Sequence, residues 1–176
     1  MIRALRAEWT KTRTLPGTYW LLAASALGAA FGRTGVQIGQ VAIVVLAVQV
    51  IGNEYGTGLI RATLTAIPNR AQVFLGKLAV VAVGAAVTGG TRALYLTLIA
   101  IYSLGVATVV RDSAGAVVTV LATLFVPPLL ARLVGDPDWH HRLTAYSPTT
   151  ASLGVLAGYA GVAALTGLLC LQLRDA

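Results

Sequence analysis

The chain has 176 residues, of which 57% are hydrophobic and only 11% charged, and its mean hydropathy is +0.80. A soluble protein needs helices with one polar face, whereas the long segments here are apolar around their whole circumference, so the composition favours an integral membrane protein. The net charge of +7 would suggest a nucleic-acid partner in a soluble protein. The basic residues stand at the ends of apolar runs, where they orient a chain in a membrane, and we expect no nucleic-acid binding.

Residues 1–16 precede the first apolar run and form a basic, amphipathic segment. Ile2, Leu5 and Trp9 fall on one helical stripe, and basic side chains occupy the other faces. This pattern predicts a helix that lies in the membrane interface. A secretory signal is the alternative, because basic residues precede an apolar run with an A-x-A pattern at 24–26.

Six apolar runs then follow one another, and each suits a membrane-spanning helix. They cover residues 18–32, 36–52, 72–88, 93–110, 114–134 and 153–171. Backbone polar groups in lipid must be satisfied within the segment, and the runs lack the alternation of a β-barrel. The sequence therefore predicts an all-α, polytopic membrane helix bundle with six transmembrane helices, forming a single transmembrane domain over residues 1–176.

The basic residues divide unequally between the two sides of such a bundle. One side carries nine of them, Arg3, Arg6, Lys11, Arg13, Arg61, Arg70, Lys77, Arg111 and Arg174. The other side carries four, Arg33, Arg92, Arg132 and Arg142. The richer side is expected to be cytoplasmic, which places both termini and residues 53–70 in the cytoplasm. Richness in Ala, Val, Gly and Arg suggests a bacterial source, hence a bacterial plasma membrane.

Residues 53–70 form a polar, basic segment between the second and third runs. The pattern over 54–66 predicts a short amphipathic helix, because Tyr55, Leu59, Ala62 and Ala66 share one face. Pro68 and Asn69 are expected to end that helix. From these residues alone, the segment is either a solvated loop with an interfacial helix or a connector that binds a partner.

The sequence offers no chemistry that points to an enzyme. It contains no G-x-x-x-x-G-K-[ST] motif and no carboxylate pair within a span, and the latter also argues against a proton-coupled transporter. Adjacent His140 and His141 cannot both ligate one metal from the same helical face, so we expect a polar surface turn without a metal. Cys170 lies in the last run, where a packed, unpaired thiol is expected.

Several residues within the runs are candidates for helix packing, for a kink or for lining a path. Glycines spaced by four allow close helix approach, and prolines interrupt the helical hydrogen bonds. The packing and hinge candidates are Gly28, Gly32, Pro127, Pro128, Gly154 and Gly158. The possible path-lining residues are Gln37, Gln40, Tyr95 and Tyr102.

Two stretches of the chain resemble a known family. The run IGNEYGTGLIRATLTAIPNRAQVFLGK, preceded by AEWTKTRTLPGTYW, resembles the membrane subunits of type-2 ABC exporters, especially the small actinobacterial permeases. Members of that family carry a similar E-W-T-K-x-R-T pattern near the N-terminus and a similar E-Y-x-x-G-x-I-R-x-T-L motif after the second span. The likeness extends, less specifically, through ALYLTLIAIYSLGVATVVRDSAGAVVTVLATLFVPPLL and residues 147–150.

The resemblance implies a permease subunit of an ATP-driven exporter. In that case residues 53–70 would contain the coupling helix, which seats on a separate cytoplasmic ATPase, and ATP and Mg would be bound by that partner. The contact would involve Glu54, Tyr55, Leu59, Arg61, Thr63 and Leu64. A second permease copy, identical or paralogous, would complete the transporter, and the exported substrate stays open.

The predicted external connections are shorter than is usual in this family, which leaves a second interpretation. The chain could be a shortened, non-transporting permease-like membrane protein with a regulatory or immunity role. A multi-pass enzyme is the third interpretation, and no constellation of reactive side chains supports it.

Overall fold

The structure is a computed structural model, and it describes residues 10, 16–30, 32–66, 70–89, 92–133, 139, 147–148 and 152–174. The predicted interfacial helix over 1–16 lies outside these residues apart from Thr10 and Pro16. Pro68, Asn69, His140 and His141 also lie outside them, as does the side chain of Arg61.

Seven helices make up the described part of the chain. They are α1 (Pro16–Ala30), α2 (Gly32–Gly56), α3 (Leu59–Ala66), α4 (Arg70–Gly89), α5 (Ala93–Val110), α6 (Ser113–Leu133) and α7 (Leu153–Arg174). These ranges contain no strand, and the predicted all-α class is confirmed.

Within the described ranges, five helices are long and apolar enough to cross a bilayer, namely α2, α4, α5, α6 and α7. The protein is therefore a multi-pass membrane protein by the length and composition of its helices. The first predicted span, over residues 18–32, corresponds to α1, which has only 15 residues because α2 already begins at Gly32. At ~1.5 Å per residue α1 is about 22 Å long, short of the ~30 Å hydrocarbon core.

Side-chain contacts define one end of the bundle, which we call the basic end. Arg70 at the start of α4 reaches the last turn of α7. Arg111, in the turn between α5 and α6, lies over the ring of Tyr55 near the end of α2. Arg92 precedes α5 at the opposite end of that helix. The sequence also predicts Arg70 and Arg111 on one side of the membrane and Arg92 on the other.

Helix α5 lies at the centre of the bundle and packs against α2, α4, α6 and α7. Its residues Leu96, Ile99 and Leu104 are fully buried, and together with apolar residues from every neighbouring helix they form one continuous core. Helix α1 packs along α2 and α4, where the hydroxyl groups of Ser25 and Thr88 form a hydrogen bond of 3.1 Å. The exposed faces of the other helices carry large apolar residues, as expected of surfaces that contact lipid.

Candidate functional site

The connector between α2 and α4 begins with a tight turn at Gly58. Helix α2 continues to Gly56, so Glu54 and Tyr55 belong to the spanning helix and not to the short helix predicted over 54–66. Thr57 ends α2 by donating its amide at 3.0 Å and its hydroxyl at 2.6 Å to the carbonyl of Asn53. Gly58 then adopts a φ of 71°, a left-handed conformation that glycine reaches without strain.

Helix α3 follows this turn and has one buried and one exposed side. Ile60 is 8% exposed and holds α3 against the bundle, whereas Leu59 is 50% exposed. Ala62 and Thr65, three and six residues beyond Leu59, are exposed as well. These three residues lie on neighbouring turns, and we call them the connector face. Thr63 and Leu64, both predicted contact residues, are half-buried beside it.

A buried ion pair anchors the root of the connector. The Nζ atom of Lys77 lies 2.7 Å from Oε1 of Glu54, and the two side chains are 0% and 1% exposed. Lys77 also donates to the carbonyl of Val50 at 3.3 Å. An ion pair is retained in such a dry position only when its geometry is good, because each charge alone carries a large desolvation penalty. The pair therefore fixes the end of α2 to a point two turns from the start of α4.

Another side of α2 is braced by the turn between α5 and α6. The guanidinium carbon of Arg111 lies 5.4 Å from the centroid of the Tyr55 ring, a cation–π contact. Arg111 adopts a φ of 61° and caps α5 by donating its amide to the carbonyl of Ala107 at 2.9 Å. One turn before Tyr55, Gly52 lies against Ser113, and an added Cβ atom would come within 2.8 Å of the serine Cβ.

A groove of about 520 Å³ opens at the side of the bundle between α1, α2 and α6. Its walls are apolar except for Gln37, which lies near the start of α2. The lining residues are Leu21, Gln37, Ile38, Val41, Ala42, Val45 and Phe125. Phe125 lies two residues before Pro127, and Pro127 and Pro128 stand inside α6 while the helix continues to Leu133. The groove could hold an apolar or amphipathic molecule that reaches it through the membrane.

The other three predicted path residues point into the bundle and not into this groove. Gln40 is 1% exposed and its Oε1 atom accepts a hydrogen bond of 2.8 Å from the hydroxyl of Tyr95. Tyr102 shares a hydrogen bond of 2.9 Å with the hydroxyl of Thr123 and meets the ring of Tyr159 edge to face. The structure thus separates Gln37 from Gln40, which are three residues apart on α2.

Replacing Tyr95 with phenylalanine is expected to destabilise the protein by about 1 kcal/mol, because Gln40 would lose its hydrogen bond in an apolar setting. Thermal unfolding of the detergent-purified protein measures the effect. The double variant Gln40→Leu/Tyr95→Phe removes both polar groups and should recover most of the lost stability. A double variant that is less stable than Tyr95→Phe alone would contradict this account.

Of the glycines predicted to allow close helix packing, Gly28 packs closely, but its partner is not the one that a spacing of four residues within one helix predicts. Gly28 on α1 lies against α2, where an added Cβ would come within 2.5 Å of the Gly35 carbonyl oxygen. Gly32 begins α2, so the predicted pair of Gly28 and Gly32 is divided between two helices. An added Cβ at Gly158 would meet no atom of the described chain within 4 Å, and at Gly154 only the Ser152 hydroxyl, at 3.8 Å.

Two parts of this site escaped the sequence-based prediction. Lys77 is a lone basic residue seven positions into α4, and that isolation within an apolar run is the signal that could have found it. A close helix crossing joins α5 to α7, where Gly105 lies against the backbone of Ala163 and beside Gly167. These residues are distant in sequence, so no spacing rule within one helix reveals them.

The described residues contain no group of histidine, cysteine, aspartate or glutamate side chains that could hold a metal ion. No protein-family model, curated protein or solved structure was found to match the chain.

Proposed function

We propose that this chain is the membrane-spanning permease subunit of an ATP-driven ABC exporter and that it couples to a separate cytoplasmic ATPase. The observation that carries the proposal is the anchored connector. Helix α3 exposes Leu59, Ala62 and Thr65, while its root is fixed to α4 by the ion pair of Glu54 and Lys77. An anchored root with an exposed, largely apolar face is suited to receive force from a partner protein, whereas a solvated loop needs neither.

In this proposal the predicted contact residues take two different roles. Glu54 is buried and Tyr55 is half-buried under Arg111, so both position the connector from within. Leu59, with Thr63 and Leu64 beside it, would touch the ATPase, and Arg61 of the same helix belongs to the proposed contact by its place in the motif. A charge reversal at Glu54 would therefore disturb the ion pair and not a partner contact.

The remaining parts of the proposal concern the bundle. Helix α1 would be a sixth, short crossing next to α2, with the basic end, both termini and the coupling helix α3 in the cytoplasm of a bacterial cell. Thinning of the bilayer around α1 would accommodate its length. The groove at Gln37 would be part of the export path, completed by a second permease copy, identical or paralogous. ATP and Mg would be bound by the ATPase alone.

The connector face provides the first test. The tagged protein is extracted gently from its native membrane, and mass spectrometry determines whether an ATPase with Walker motifs copurifies in near-equal amount. Ala62→Asp is expected to reduce that recovery by about tenfold or more, because a charge would be buried in an apolar contact. Ala114→Asp is the matched control, since Ala114 is also an exposed alanine at the basic end. Equal recovery of the ATPase with both variants would contradict the proposed contact.

A second candidate function rests on the short connections of the chain. Only residue 31 separates α1 from α2, and only residues 90–92 separate α4 from α5. A permease-like protein without transport, in a regulatory or immunity role, would tolerate such short connections. Stimulation of the copurified ATPase by candidate substrates distinguishes the two functions, because a non-transporting subunit gives none.

A further inference from the structure

We infer that Arg70 is a positioning residue that ties the connector to the end of α7, so that movement of α3 reaches the last helix as well as α4. The transmission of movement rests on the proposed function, whereas the contact between Arg70 and α7 can be tested without it. Arg70 is the first residue of α4 and directly follows the connector.

The contact satisfies a requirement of the α7 end. One guanidinium nitrogen of Arg70, Nη1, donates to the carbonyl of Leu171 at 3.2 Å and to that of Gln172 at 3.1 Å. The last four carbonyl groups of a helix have no donor from within the helix, and together they carry partial negative charge. The guanidinium group of Arg70 supplies both a hydrogen-bond donor and a positive charge, and it therefore stabilises the end of α7 beside Arg70.

The position of Arg70 makes this contact more than a local cap. Lys77 lies two turns further along α4 and holds Glu54 of α2, so the first ~10 Å of α4 is fixed to α7 at one end and to α2 at the other. A displacement of the connector must move this segment as a unit or break one of the two contacts. The two contacts are charged or charge-assisted, and such bonds are among the stronger ones in proteins.

Helix α7 can pass such a movement on to the centre of the bundle. Gly167, one turn before Leu171, lies against Gly105 of α5, where an added Cβ would come within 3.1 Å of the Gly105 carbonyl oxygen. Backbone packed this closely against backbone leaves no side chain that could bend and absorb the motion. Helix α3 packs against α4, and the path from Arg70 to α7 and on to α5 consists of contiguous contacts.

Cys170 provides a natural reporter of the contact. It is the only cysteine of the chain, it is partly buried, and it immediately precedes Leu171. The rate of its alkylation by N-ethylmaleimide, a membrane-permeant reagent, is measured in native membranes for the wild type and for Arg70→Ala. We expect the variant to react about tenfold faster, because loss of a charge-assisted cap favours local opening of the helix end.

Two further variants make the measurement decisive. Arg70→Lys keeps the charge and one donor nitrogen, and it should restore most of the slow rate, which general misfolding would not allow. Arg132→Ala removes an exposed arginine at the far end of α6 and should leave the rate unchanged. An unchanged rate in Arg70→Ala, or equal acceleration in all three variants, would overturn the contact regardless of any partner.

The transmission of movement through Arg70 is tested on the same membranes. If Arg70 transmits motion, Arg70→Ala should keep the ATPase in the copurified complex but lose its stimulation by substrate. Retained stimulation together with faster alkylation would overturn the transmission while leaving the contact intact. Absence of an ATPase from the wild-type complex would instead contradict the proposed function and with it the transmission, and the alkylation rates would still decide the contact.

Discussion

Replacing Lys77 with methionine is expected to destabilise the protein by about 3–5 kcal/mol, because Glu54 would be left as a buried charge without its cation. The pair lies at 2.7 Å with both side chains fully enclosed, so water cannot take the place of the lost ammonium group. For a chain of this size, the loss corresponds to a fall in the unfolding temperature by roughly 10 °C. Thermal unfolding of the detergent-purified protein, monitored by size-exclusion chromatography, measures this fall in the unfolding temperature.

Two control variants separate the ion pair from the loss of a basic residue in general. Arg92→Met removes an exposed cation at the opposite end of the bundle and should change stability little. The double variant Glu54→Leu/Lys77→Met removes both charges and should recover most of the stability, since apolar replacements of a buried pair are often neutral. If Lys77→Met unfolds within about 2 °C of the wild type, Glu54 does not depend on this cation for its burial.

A single methyl group at Gly105 is expected to destabilise the protein by about 1–3 kcal/mol, through overpacking of the crossing between α5 and α7. The added Cβ of Gly105→Ala would overlap the backbone of Ala163 and come within 2.9 Å of its Cβ atom. Backbone cannot turn aside as a flexible side chain can, so the two helices must separate and lose contacts along their length. Chemical or thermal unfolding in detergent measures the change.

Gly158→Ala is the matched control for this crossing. Gly158 lies on α7 as well, and an added Cβ there meets no described atom within 4 Å. Alanine is a better helix former than glycine by about 1 kcal/mol, so this variant should be equally stable or more stable. Destabilisation by Gly105→Ala alone supports the crossing at Gly105, and a Gly105→Ala variant as stable as Gly158→Ala would contradict it.

The sequence predicted the spanning helices well because hydropathy alone decides them in a membrane protein. The run over 93–110 coincides with α5, since charged residues bound it on both sides. The first span was the exception, because an apolar run does not reveal where the chain reverses. Helix α1 ends at Ala30 and α2 starts at Gly32, which leaves the first helix short of a full crossing by length.

The candidate site was predicted only in part, because its residues depend on contacts between helices. The motif drew attention to Glu54 and Tyr55 as partner contacts, whereas in the structure Glu54 is buried against Lys77 and Tyr55 is half-buried beside Arg111. Lys77, 23 positions after Glu54, reaches it only through the way α4 packs beside α2. The glycine crossing is similar, since the chain has 19 glycines and periodicity cannot tell which of them oppose one another across two helices.

Helix α2 runs without interruption from Gly32 to Gly56, about 37 Å, with Gln37 in the groove near one end and Glu54 at the root of the connector near the other. A displacement of α2 therefore moves both the groove residue Gln37 and the connector residue Glu54. If a ligand in the groove changes the affinity of the connector for a partner protein by some factor, that protein must change the affinity of the groove for the ligand by the same factor. A measurement of ligand binding alone, with and without the partner, would therefore report how strongly the two ends of the protein communicate.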